Sequence, residues 1–190
     1  MHPMVTIALR AARDASTLIL DAMGRPDRFR VFDKGANDFF TNVDKAVEEK
    51  LITLISKTYP DHSFHGEESG YREGKDKDIL WVIDPIDGTR NFIHGYPHFC
   101  ISIACVQKGR IEHALIIDPV RQEEFTASRA RGAQLNETRI RVNDCPALDK
   151  ATIGYSCAGK DNFSTLLRLQ ERLQGKVAEA RAQVAETEAS

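Results

Sequence analysis

The sequence predicts an α/β chain in which two helices precede a sheet of mostly antiparallel strands. Three observations predict it. Apolar residues recur at helical spacing over 4–23 and again over 42–58. The apolar run Ile79-Leu80-Trp81-Val82-Ile83 has the length and composition of a strand and breaks into Asp84-Pro85-Ile86-Asp87-Gly88. From residue 97 onward, short β-rich runs alternate with turn residues, as in a meander.

In the first helix Val5, Ile7, Ala8, Ala11, Ala12, Ala15, Leu18, Ile19 and Ala22 recur mostly at three- and four-residue intervals, and Gly24 is the expected stop. Phe29 to Phe32 reads as a short strand, and Asp33 to Asp38 as a polar loop with Lys34 at the surface. Thr41 opens the second helix, whose Val43, Val47, Leu51, Leu54 and Ile55 share one face, and Pro60 follows its end. Thr41 and Asp44 make a loose capping box, with Asp where Glu or Gln is usual. That role, plus the macrodipole, accounts for Asp44 without any catalytic purpose.

Ser63 to Gly66 is a predicted strand ending in Glu67 and Glu68, followed by a polar loop from Ser69 to Asp78. The meander is expected at 98–106, 111–117 and 123–127, with shorter pieces at 133–135 and 139–142. Beyond Cys145-Pro146 the composition shifts. Leu166, Leu169, Leu173, Val177, Ala180 and Val184 mark an amphipathic helical tail, in which Gly175 costs about 1 kcal/mol relative to Ala.

Charge and composition exclude some classes. With 26 Lys+Arg against 28 Asp+Glu, a net charge of −2 and no long single-sign block, nothing favours a nucleic-acid binder. Apolar runs such as 100–106 are far too short to cross a bilayer as a helix. The start of the chain lacks the ordered regions of a signal peptide, so a cytoplasmic location is expected. Cys100, Cys105, Cys145 and Cys157 show no paired spacing and read as buried, reduced thiols. His94, His98 and His113 lack ligand spacing and read as surface or hydrogen-bonding residues.

The chemistry concentrates in residues 81–92, WVIDPIDGTRNF. Asp84 and Asp87 flank a proline that stiffens the backbone between them, and Gly88 allows close backbone approach to an anion. Hard, rigidly held carboxylates suit Mg²⁺. A helix opening at Thr89 would offer N–H groups to phosphate. A plain strand followed by a turn explains the same residue types. Glu67 tips the balance, because a neighbouring strand would bring it to the same sheet edge, where clustered carboxylates repel unless a cation intervenes.

Taken together, G-E-E-S at 66–69, W-V-I-D-P-I-D-G-T-R-N-F at 81–92 and T-N-V-D at 41–44 resemble the inositol monophosphatase family of Mg²⁺-dependent, lithium-sensitive phosphatases. The stretch at 118–129 and the MHPM start look closest to its bacterial SuhB-type branch. The resemblance spans roughly 1–150, read as the metal- and phosphate-binding αβ domain, with 151–190 as a non-matching helical tail. It implies the N-terminal half of a layered α/β (α+β sandwich) fold, with the two helices covering one side of the sheet. It also implies that Glu67, Asp84 and the Ile86 carbonyl hold a first Mg²⁺ and that Asp84 and Asp87 share a second. Asp87, Gly88 and Thr89 would hold phosphate, while Asp44 and Thr89 would position and deprotonate the attacking water.

The family's second half carries a W-D-x-A-A-G motif that this sequence lacks, and Arg90 stands where Thr is more usual. The expected function is therefore a phosphomonoesterase for inositol 1-phosphate or a similar polyol phosphate. The alternative is a weak or inactive homologue that binds a partner such as transcription antitermination proteins. A homodimer is the third association implied, since absence of the second half would leave apolar sheet surface uncovered.

Overall fold

A computed structural model describes residues 1–25, 29–35, 38–145, 147, 150–152, 164–165 and 167–176. They fall into two compact units, Met1–Arg141 and Val142–Ser190.

The first unit begins with α1 (Pro3–Met23), whose N-cap His2 accepts the Met4 N–H at Nδ1 and whose first position is the proline that suits it. Gly24 follows the helix as expected, but in right-handed geometry, so its lack of a side chain is not what ends the helix. β1 (Val31–Gly35) and β2 (Asp38–Thr41) form a two-stranded antiparallel ribbon. This corrects the polar-loop reading: Asp33, Gly35 and Asp38 sit in a ladder that also stacks Phe32 on Phe40, because an exposed ribbon tolerates polar residues once its backbone groups pair. The side chain of Lys34 lies outside the described residues.

α2 (Asn42–Thr58) carries the complete capping box that the sequence suggested. After it come β3 (His62–Gly66), β4 (Gly70–Arg72) and β5 (Asp76–Asp87). The polar loop expected at 69–78 is instead a turn into β4, made by Gly70 at φ 70°, and β5 starts three residues earlier than its apolar run. The short α3 (Thr89–Ile93) leads to β6 (Cys100–Gln107), β7 (Arg110–Asp118), β8 (Glu123–Ser128), β9 (Gly132–Leu135) and β10 (Thr138–Ile140).

The eight main strands order as β10-β9-β8-β7-β6-β5-β3-β4, and every neighbouring pair is antiparallel except β3 with β5. This is the mixed α/β architecture with a mainly antiparallel sheet that the sequence predicts. Helices α1 and α2 cover one face, burying Ala12, Ile19, Val47 and Leu51 against Trp81, Ile83, Ile101 and Ile103 in a single core. Side chains alternate along each strand, so the residues between these face away from the helices. There Val82 and Ile116 are exposed, as the expectation of uncovered apolar sheet required.

In the second unit, residues 164–165 and 167–176 are helical, and the helix continues through Gly175. Leu166, Val177, Ala180 and Val184 lie outside the described residues. No described helix is long and apolar enough to cross a membrane. Of the thiols, Cys105 is buried, Cys100 half-buried and Cys145 exposed, which corrects the expectation of uniform burial for Cys145; Cys157 is outside the described set.

Candidate metal and phosphate site

Two local features of β5 bring the acidic residues together. The parallel pairing with β3 sets Gly66 beside Ile83, so both strands run out at the same edge, and the Glu67 N–H donates to the Ile83 carbonyl at 3.1 Å. Glu67 thus arrives next to Asp84. Carboxyl ends of adjacent parallel strands are where α/β sheets gather ligand-binding groups.

The second feature is a bulge. Residues i and i+3 of a regular strand face opposite sides. Asp84 pairs with Ser102 and Asp87 with Cys100, so three steps on β5 match two on β6. The extra residue, at Pro85-Ile86, restores Asp87 to the face that Asp84 occupies. The stiff turn read from the sequence is therefore a bulged strand end.

Asp84 shows the electrostatic consequence. Its Oδ1 is buried with no hydrogen-bond partner among the described residues. Burial pushes its carboxyl up to about 8; the charge of Glu67, a hydrogen bond with it, and the charge of Asp87 add to that, and the Ile86 amide opposes it. Without a cation, the folded chain keeps a proton at this site at neutral pH. Among the described residues, no three His, Cys, Asp or Glu side chains form a ready-made metal cage.

Asp44 and Thr89 meet across α2 and α3. The Thr89 hydroxyl lies 3.2 Å from Asp44 Oδ1 and 2.9 Å from the Ile86 carbonyl oxygen. Asp44 Oδ2 accepts the Thr41 N–H at 2.8 Å and the Thr41 hydroxyl at 2.5 Å. Asp44 is 1% exposed, and burial raises its pKa despite these hydrogen bonds. The capping role and a role at the site are thus served by different oxygens of one side chain.

Gly88 precedes α3 in the left-handed region at φ 95°, and no side chain caps the helix. A Cβ there would sit 3.0 Å from the His98 carbonyl oxygen and 3.3 Å from Phe99 Cβ, so the close neighbour that demands glycine is the chain itself. Arg90 is exposed on the same short helix.

The geometry and the motifs point to one group of proteins, and the sequence pattern of the inositol monophosphatase family matches residues 1–187. The chain belongs to the inositol monophosphatase family. The match runs past residue 150, where the recognisable motifs stop. Among curated relatives, the chain is 53% identical over 164 residues to the Nus factor SuhB of Pseudomonas aeruginosa, covering 85% of this chain and 60% of that protein. It is 47% identical over 183 residues to the Nus factor SuhB of Escherichia coli K12, covering 95% and 68%. Among solved structures, the Thermotoga maritima IMPase aligns with a TM-score of 0.77 at 30% identity, over 92% of this chain and 65% of that one. The extragenic suppressor protein suhB of Bartonella henselae aligns at 0.74 and 33%, over 78% and 57%. The chain thus spans between 57% and 68% of the length of these relatives.

This inositol monophosphatase family chain also holds site residues that the motifs did not reveal. Asp87 and Gly88 line a cleft of about 560 Å³ together with His98, Cys100, Asp118 and Arg121. Arg121 bridges Asp118 Oδ2 at 2.6 Å and the Pro97 carbonyl at 3.0 Å, joining two loops into one wall. Burial, then the nearby Asp87, pushes the Cys100 thiol to about 12, so it stays protonated. Glu48 on α2 is 2% exposed and accepts the N–H groups of Glu68 and Ser69 at 2.8 and 2.9 Å. A sequence signal existed: Glu48 lies one turn after Asp44 on the stripe that includes Leu51 and Ile55.

Proposed function

We propose that this chain is a Mg²⁺-dependent phosphomonoesterase that hydrolyses inositol 1-phosphate or a similar small sugar or polyol phosphate. The observation that carries the reading is Asp84, a carboxylate whose buried Oδ1 has no partner among the described residues and whose neighbours are two more acids. A hard divalent cation supplies the missing partner and offsets the repulsion.

In this reading Glu67, Asp84, Asp87 and the Ile86 carbonyl oxygen hold the metal. Bound there, Mg²⁺ supplies Lewis acidity that acidifies the attacking water and offsets charge on the phosphoryl group and leaving oxygen. Gly88 and Thr89 present backbone N–H groups to the phosphate. The Thr89 hydroxyl has one proton and two acceptors. Donated to Asp44 Oδ1, that proton leaves a Thr89 lone pair to orient the water. Asp44, with its pKa raised by burial, is the better base for receiving the proton onward. The 560 Å³ cleft beside Asp87 is large enough for a monosaccharide-sized substrate.

The test is inorganic phosphate release from inositol 1-phosphate under saturating Mg²⁺. Asp84→Asn should lower it at least about 100-fold, the order that loss of one charge-stabilising group costs. Equal rates in parent and variant would overturn the reading.

A second reading is favoured by the relatives' designation as Nus factors. In it the chain acts by binding transcription antitermination proteins or a second copy of itself, through the uncovered sheet face with Val82 and Ile116. It predicts that purified antitermination proteins bind equally well to parent and to Asp84→Asn, and that Ile116→Glu abolishes binding. Either assay on its own leaves the other reading intact.

A further inference from the structure

We propose that Glu48 is a positioning residue for the metal-binding loop: its buried carboxylate, hydrogen-bonded to the Glu68 and Ser69 amides over a glycine that makes room for it, sets Glu67 against Asp84. The inference rests on the functional reading above and names a residue outside its ligand set.

Four observations meet at this side chain. Glu48 is buried to 2% exposure, and its two oxygens are divided between two consecutive main-chain donors, Glu68 N–H on Oε2 and Ser69 N–H on Oε1. Those donors directly follow Glu67, whose own N–H is fixed on the Ile83 carbonyl. The backbone on both sides of the Glu67 side chain is therefore held, from β5 on one side and from α2 on the other.

The third observation is steric. A Cβ on Gly66 would lie 2.3 to 2.5 Å from the carboxyl atoms of Glu48, so the glycine is required by where that carboxylate sits. The fourth is the spacing along α2. Asp44 and Glu48 are four residues apart, on one helix face, and both are buried. Asp44 reaches Thr89 after β5, while Glu48 reaches the loop after β3. Two like charges a turn apart disfavour an isolated helix. Here each holds one of the two strand ends that carry the site.

The test uses the full chain with Glu48→Gln, which keeps the shape but must turn an NH₂ towards one of the two N–H donors. In the metal-free chain, amide exchange at Glu68 or Ser69 should speed up at least about tenfold, while Ile103 in the sheet centre is unchanged. The Mg²⁺ dissociation constant measured by calorimetry should rise about tenfold, the lower end of what losing a supporting partner costs. Unchanged exchange at both amides, or an unchanged dissociation constant, overturns the proposal. If even the parent binds no Mg²⁺, the phosphatase reading falls and amide exchange alone decides the role of Glu48.

Gly66→Ala supplies a second route that does not depend on metal. It should lower the melting temperature in the parent but far less in a Glu48→Ala background, where the space is free. An equal drop in both backgrounds would show that Glu48 is not what Gly66 accommodates.

Discussion

Two adjacent cross-strand rows of the sheet differ completely. The row Ile83, Ile103, Leu115, Thr126 faces the helices and is almost fully buried. The next row, Asp84, Ser102, Ile116, Phe125, faces away; it carries at one end a carboxylate whose Oδ1 has no hydrogen-bond partner among the described residues, and half-exposed apolar residues at the other. The same strands therefore carry the packed core on one face and the acidic cluster on the other. The open face gives up stability, because a carboxylate held near neighbours of like charge is worth more to a cation than to the fold.

The largest expected effect compares two neighbours on β5. Trp81 is 1% exposed among the helices, and Val82 is 38% exposed on the other face. Trp81→Ala should cost about 3–5 kcal/mol by denaturant unfolding. Val82→Ala should cost under about 1 kcal/mol, as exposed substitutions do. Equal costs would mean that both faces are packed alike and would break the comparison.

Gly88→Ala comes next, at about 1–3 kcal/mol for a side chain forced into left-handed backbone, with the His98 carbonyl adding to the strain. Its unfolding midpoint should fall even with metal absent, which separates backbone strain from lost phosphate contact. Thr41→Ala should cost about 1 kcal/mol as a lost cap. Because the Thr41 bonds hold the Asp44 pKa down, it should also move the Asp44 titration upward, observable by carboxyl NMR. Smallest is Arg13→Ala, which breaks an exposed bidentate pair with Glu124 at 2.6 and 2.7 Å between α1 and β8. At most about 1 kcal/mol is expected, shrinking with added salt.

Much of this was legible in the sequence, for identifiable reasons. Helical periodicity located α1 and α2 because each buries one stripe, and the Thr41–Asp44 box was readable because it is local. The Asp84–Asp87 motif was readable as chemistry. Its geometry was not, since the bulge that aligns the two carboxylates appears only in the register with β6. Parallel pairing of β3 with β5 is likewise non-local, although the expectation that Glu67 reaches the same edge followed from the need to gather acids. Of the β1–β2 ribbon only the start of β1 was legible, at Phe32, because Asp33 to Asp38 is polar. Glu48 belongs to no motif, and only its place on the apolar stripe of the second helix sets it apart.

The central claim is that Asp84 holds a place for a cation at the expense of the metal-free fold, and thermal unfolding of parent and Asp84→Asn without and with Mg²⁺ tests it most directly. The folded-state pKa of about 8 lies above the unfolded value of about 4. At Asp84 the folded chain therefore binds more protons between those values, and the contribution of this group to metal-free stability falls as pH rises through that window. The account predicts that the parent melts at lower temperature at pH 8 than at pH 5, that Asp84→Asn flattens this slope and melts higher than the parent at pH 8, and that Mg²⁺ raises the midpoint of the parent but not of the variant. A variant that melts lower than the parent at pH 8, or that gains as much from Mg²⁺, would contradict it.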